Sequence, residues 1–143
     1  MASTNPGPAV TTTIHPQGVQ SNQALRLLAV ATGVNVNATG DQAVLQIINS
    51  TNYSVANVVF TNASTSLTTA AAGLFTAPSA GGTAIVANAA LSGLTASSVV
   101  SQRTVASTAT QSGQNLYLNV GTAQGAAATM DVYVYGYDFS TYS

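Results

Sequence analysis

Six side chains carry most of the ionisable chemistry of this 143-residue chain: Arg26, Arg103, Asp41, Asp131, Asp138 and His15. Lys, Glu, Cys and Trp are absent. Glycoside hydrolysis needs two carboxyl groups about 5 to 10 Å apart. Asp131 and Asp138 flank the C-terminal strand-like run, so an extended backbone holds them roughly 20 Å from each other. Asp41 follows Gly40 and reads as a turn residue. A hydrolase using Asp41, Asp131 or Asp138 is therefore the weakest reading of the chain. With His15 the only histidine, a metal-binding histidine cluster would need a three-fold axis to gather its copies. Serines are plentiful, yet one histidine and no G-x-S-x-G elbow leave them without a base. The glycine-rich stretches Gly81-Gly82 and Gly121 to Gly125 cannot complete a phosphate loop, because that loop needs a lysine. The absence of cysteine excludes disulfides and thiolate zinc sites. No cofactor is expected.

What remains is a chain with 46% hydrophobic residues, only 3% charged residues and a formal net charge of -1. Two arginines cannot form the basic stripe that displaces counterions from phosphates, so nucleic acid is not an expected partner. The mean hydropathy of +0.30 and the repeated β-branched runs argue against disorder. The surface must then be built from Thr, Ser, Asn, Gln and Gly, and a surface so poor in charge favours association. No stretch approaches the roughly 18 to 20 apolar residues of a membrane helix. The first eight residues, MASTNPGP, have neither the cationic nor the apolar region of a secretory signal.

Short apolar runs alternate with turn chemistry at about 8 to 14 residues, the spacing expected of an all-β sandwich or barrel. Strands are expected near Leu25–Ala31, Ala43–Ile48, Val55–Thr61, Leu74–Thr76, Ala84–Val86, Ser98–Val105, Leu116–Val120 and Met130–Tyr137. The alanine-rich stretches Ala70 to Gly73 and Ala87 to Leu94 allow at most a turn or two of helix. Pro6, Gly7, Pro8 and Pro16 mark residues 1–21 as an extended N-terminal arm ahead of a single sandwich domain over 22–143. The expected class is an antiparallel β-sandwich of jelly-roll type.

The last strand is the most legible. Met130, Val132 and Val134 alternate with Asp131, Tyr133, Tyr135 and Tyr137, so the aliphatic face should be core. The tyrosine face, with Phe139 and Tyr142, should be a partly buried interface. In a chain this poor in charge, Arg26 and Arg103 each call for a specific partner, either a carboxylate or a set of backbone carbonyls. That partner is an aspartate of the same chain or a group on a neighbouring subunit. His15 and Pro16, in the arm, are further contact candidates. The sequons at Asn37, Asn49, Asn52 and Asn62 are expected by chance in a chain so rich in Asn, Ser and Thr.

Residues 59–86, VFTNASTSLTTAAAGLFTAPSAGGTAIV, resemble a segment common in small structural proteins of tailed bacteriophages. Residues 116–136, LYLNVGTAQGAAATMDVYVYG, resemble the same proteins. These are head decoration (cement) proteins and similar virion components, and the two segments cover about a third of the chain. The resemblance implies a non-enzymatic protein, a homotrimer or dimer on the outer surface of the capsid, with the major capsid protein as partner. It implies an arm that reaches over neighbouring subunits, and carries no catalytic residue. Binding only to the assembled lattice would stabilise that lattice. A tail or neck component is the second structural reading. A carbohydrate-binding module is the third, its tyrosines stacking on sugar rings and Asp131 or Asp138 fixing hydroxyls.

Overall fold

The computed structural model describes residues 22–140. The expected arm over residues 1–21, with His15 and Pro16, lies outside the described residues, as does Tyr142. Among the described residues there are eight strands and no helix. They are β1 (Asn22–Asn35), β2 (Gly40–Gln46), β3 (Tyr53–Thr61), β4 (Ala71–Ala77), β5 (Gly81–Ala90), β6 (Val100–Arg103), β7 (Asn115–Thr122) and β8 (Thr129–Asp138). Each coincides with one of the runs read from the sequence.

Two four-stranded antiparallel sheets pack face to face, in the orders β1-β8-β3-β6 and β2-β7-β4-β5. Four of the pairs nest around one hairpin: β4 with β5, β3 with β6, β2 with β7 and β1 with β8. A long antiparallel ribbon folded over in this way is a jelly roll. The hairpin tip is Pro78 to Gly81, where the Gly81 N–H donates to the Pro78 carbonyl at 3.1 Å. Ser79 and Ala80 both take φ of 58° there. Positive φ at both central positions defines a type I′ turn, whose twist matches the strands it joins.

The core lies between the sheets. Along β8 the burial alternates residue by residue, with Met130, Val132 and Val134 fully buried and the tyrosines facing out. The same buried core cluster includes Leu45, Leu74 and Leu118 of the second sheet. Gly136 continues the inward set because only hydrogen fits. A Cβ there would stand 2.0 Å from the Ser54 carbonyl oxygen and 2.7 Å from a Leu28 methyl.

Residues 71–73 and 87–90 of the alanine-rich stretches form strand, and residues 91–94 a single turn closed by the Leu94 N–H on the Leu91 carbonyl. Ala71 and Ala72 pair on both sides, with β5 and with β7, and the ladder overrides alanine's local preference. Loops close one end of the sandwich, where the Leu67 N–H donates to the Leu94 carbonyl and the Leu91 N–H to the Ala70 carbonyl. Leu67, Leu91 and Leu94 are fully buried by this arrangement.

Candidate interaction surface

All three aspartates hold turns. Asp41 accepts the Ser79 N–H at 2.7 Å and the Asn119 side-chain amide at 2.7 Å, fixing the β4–β5 hairpin against β2 and β7. Asp131 accepts the Gly33 N–H at 2.8 Å and the Asn62 side-chain amide at 3.0 Å. Gly33 and Asn62 both have positive φ, so the carboxylate secures two strained corners at once. Asp138 is fully buried and accepts the Ser50 hydroxyl at 2.7 Å and the Ser140 N–H at 2.8 Å. Ser140 in turn accepts the Thr51 and Asn52 N–H groups, which ties the chain after β8 to the loop before β3. Asp131 and Asp138 stand at opposite ends of β8 and Asp41 in the other sheet. No two of the three share a turn. No group of three or more His, Cys, Asp or Glu residues is placed to hold a metal among the described residues.

Both arginines find carbonyls rather than the intrachain aspartate that the sequence also allowed. Arg26 donates to the Ile48 carbonyl, closing the gap between β1 and the chain after β2. Arg103 donates to the Ala90 carbonyl at 3.1 Å and the Ser101 hydroxyl at 3.2 Å. Its guanidinium also lies 5.3 Å from the centre of the Phe60 ring, within cation–π range. Burial holds the Arg103 guanidinium below its ordinary pKa. A turned-in arginine at the end of the ladder serves the edge of the sandwich.

The tyrosines do form a continuous outer face on the first sheet. Tyr135 stands between Leu27 of β1 and Asn57 of β3. Tyr133 stands between Val30 and Val59, and Gln102 of β6 continues that row. Tyr133, Tyr135, Leu27, Val30 and Val59 are all partly buried. Tyr137 is 37% exposed and its ring centre lies 6.5 Å from that of Phe139, at 35°. Phe139 is anchored by its N–H on the Asn52 carbonyl at 2.7 Å. No charged side chain interrupts these rows; Asp131 stands at their far end, opposite Thr61.

Sequence reasoning overlooked two features. The outer face of the second sheet carries its own aromatic pair, Tyr117 beside Phe75, with Val44 57% exposed next to Tyr117. Phe75 is nearly buried because Gly73 leaves room for its ring on the flat sheet. On the edge of the first sheet, Val99 and Val100 are 52% and 59% exposed. The run Ser98–Val105 suggested a strand there, but not that its outer side has no strand neighbour among the described residues.

No family model, curated protein or solved structure matches the chain. Among the described residues no helix is long and apolar enough to cross a membrane.

Proposed function

We propose that this chain is a structural component of a virion, a decoration protein that binds the assembled head of a tailed bacteriophage as an oligomer and stabilises it. The observation that carries this reading is the tyrosine-rich, largely apolar outer face of the first sheet. It presents Leu27, Val30, Val59, Tyr133, Tyr135 and Tyr137 in adjacent rows on a rigid jelly roll. Tyrosines on a rigid strand bring large contact area at low conformational-entropy cost, which suits the centre of an interface. Jelly rolls also serve as viral capsid and lectin domains, an analogy at the level of fold alone. The aspartates, committed to turns, give the reading no competing chemistry.

A lattice binder of this kind works by linkage. Each copy that binds only assembled subunits adds its binding free energy to the shell's resistance to opening. With so few charges, that binding comes from shape, apolar contact and backbone hydrogen bonds. The test is co-sedimentation of the purified chain with empty heads of the phage whose genome carries its gene. Saturable binding at a fixed number of copies per head is expected, and it should persist in 0.5 M salt, where the Debye length falls to about 4 Å. Tyr135→Asp should weaken it at least tenfold. No binding to heads, or binding confined to a single vertex, would overturn the decoration reading. Binding abolished by 0.5 M salt would overturn the apolar mechanism.

A further inference from the structure

Among the described residues, no strand pairs with the outer side of β6 at the edge of the first sheet. The Asn62 N–H donates to the Val99 carbonyl at 3.1 Å, which makes Asn62 and Val99 a hydrogen-bonded pair of the antiparallel ladder. The register runs on as Thr61 opposite Val100, Phe60 opposite Ser101, Val59 opposite Gln102 and Val58 opposite Arg103. Hydrogen-bonded and non-hydrogen-bonded pairs alternate along such a ladder, so Val100 and Gln102 turn their N–H and C=O groups away from β3. These groups face the outer side of an edge strand. Natural edges are guarded by charges, prolines or bulges. Here Val99 and Val100 are among the most exposed large apolar residues, and Arg103, the only charge on β6, turns inward over Phe60. The opposite edge of the same sheet is partly occupied, because the Leu28 carbonyl of β1 already accepts the Ile48 N–H.

The chain itself holds a segment suited to such an edge. Residues 10–14 read Val-Thr-Thr-Thr-Ile, five consecutive β-branched residues without a charge, between Pro8 and Pro16. β-Branched residues fit a pleated surface, and prolines at both ends limit the strand to the length of β6. In such a strand Val10, Thr12 and Ile14 would share one face.

We propose that residues 10–14 of one copy add as a strand to the open edge of β6 in a second copy. Geometry decides between a second copy and the chain's own edge. Every strand pair among the described residues is antiparallel. Antiparallel addition brings Ile14 to the Val100 end of β6. In its own chain that position, on a strand beyond β6, lies four strand spacings across from β1, about 19 Å. It also lies level with Asp131, seven residues along β8 from Asp138, which pairs with Asn22. Seven residues of strand add about 23 Å, for a straight path of roughly 30 Å. Ile14 precedes Asn22 by eight residues, which span at most about 29 Å when fully extended. That leaves nothing for passing over Tyr133, Tyr135 and Tyr137. The neighbour's edge carries no such limit. The inference concerns copies of this chain alone, so its test needs no phage head and its failure is separable from that of the virion reading.

The test is a complementation between two variants, read as mass by light scattering. Deletion of residues 1–15 removes the donor strand, and Gln102→Pro blocks the acceptor edge without removing a bond to β3. The full chain should run at a multiple of 14.3 kDa. Each variant alone should run as a monomer, and an equal mixture of the two should form a one-to-one pair. Thr12→Pro should dissociate the full chain like the deletion. If Gln102→Pro fails to fold by circular dichroism, Val100→Lys supplies the blocked edge. A monomeric full chain, an oligomer unmoved by Thr12→Pro, or two variants that stay apart on mixing would overturn the proposal.

Discussion

Tyr53 shows how single residues govern this fold. It is fully buried, its hydroxyl donates to the Gly113 carbonyl at 2.6 Å, and burial pushes its pKa up to about 12 from the ordinary 10.0. The folded state therefore favours the neutral phenol. Its stabilising effect is complete below pH 10 and is lost as the pH rises towards 12, because the unfolded chain ionises first. Urea titrations between pH 9 and 12 should show stability falling over that window, and Tyr53→Phe should flatten the fall. An unchanged alkaline slope in Tyr53→Phe would refute the assignment. Gly136 poses a steric constraint instead. The Ser54 carbonyl leaves no space for a methyl group, so Gly136→Ala should cost about 2 to 3 kcal/mol in chemical denaturation, as overpacked sites do. A loss below about 0.5 kcal/mol would mean that β3 yields more easily than the close contact implies.

At the scale of elements, the β4–β5 hairpin places Ser79 and Ala80 where L-residues other than Asn and Asp are disfavoured. The Asp41 carboxylate secures the turn by accepting the Ser79 N–H. Replacing the pair by Asn-Gly, the residues this turn type prefers, should raise stability by about 1 kcal/mol and the melting temperature by a few degrees. No gain would indicate that the turn is held by its surroundings rather than by its own conformational preference. Asp41→Ala should act in the opposite sense, by roughly 1 to 2 kcal/mol, by leaving that N–H without its charged acceptor. The short β6 belongs to the same scale. It closes the sheet with four residues, and its outward backbone groups are what make an added strand possible.

For the whole molecule, near absence of charge has a direct consequence. The hydrogen bonds of Arg26, Arg103, Asp41 and Asp131 among the described residues are to neutral groups, so screening has little to remove there. The melting temperature should move by less than about 3 °C between 0.05 and 0.5 M NaCl, although the Debye length shrinks from about 14 to about 4 Å. A larger fall in calorimetry would reveal an ionic contribution that the fold does not display. The same surface supports the proposed association: with little charge repulsion between copies, the tyrosine face and the β6 edge have little to keep them apart.

Period-two alternation in β8, β-branched enrichment and turn residues are local signals, and they located all eight strands and the inward set Met130, Val132 and Val134. The tyrosine face was legible for the same reason. The sheet orders were not, because β1 meets β8 across more than ninety residues and no local pattern encodes a partner so distant. For that reason too, the sequence placed neither the edge at β6 nor the second aromatic face around Tyr117. The carbonyl partners of Arg26 and Arg103 likewise depend on loops that only the closed sandwich brings near. Local chemistry chose the strands and their inner faces, and long-range pairing decided which faces and edges were left for other molecules.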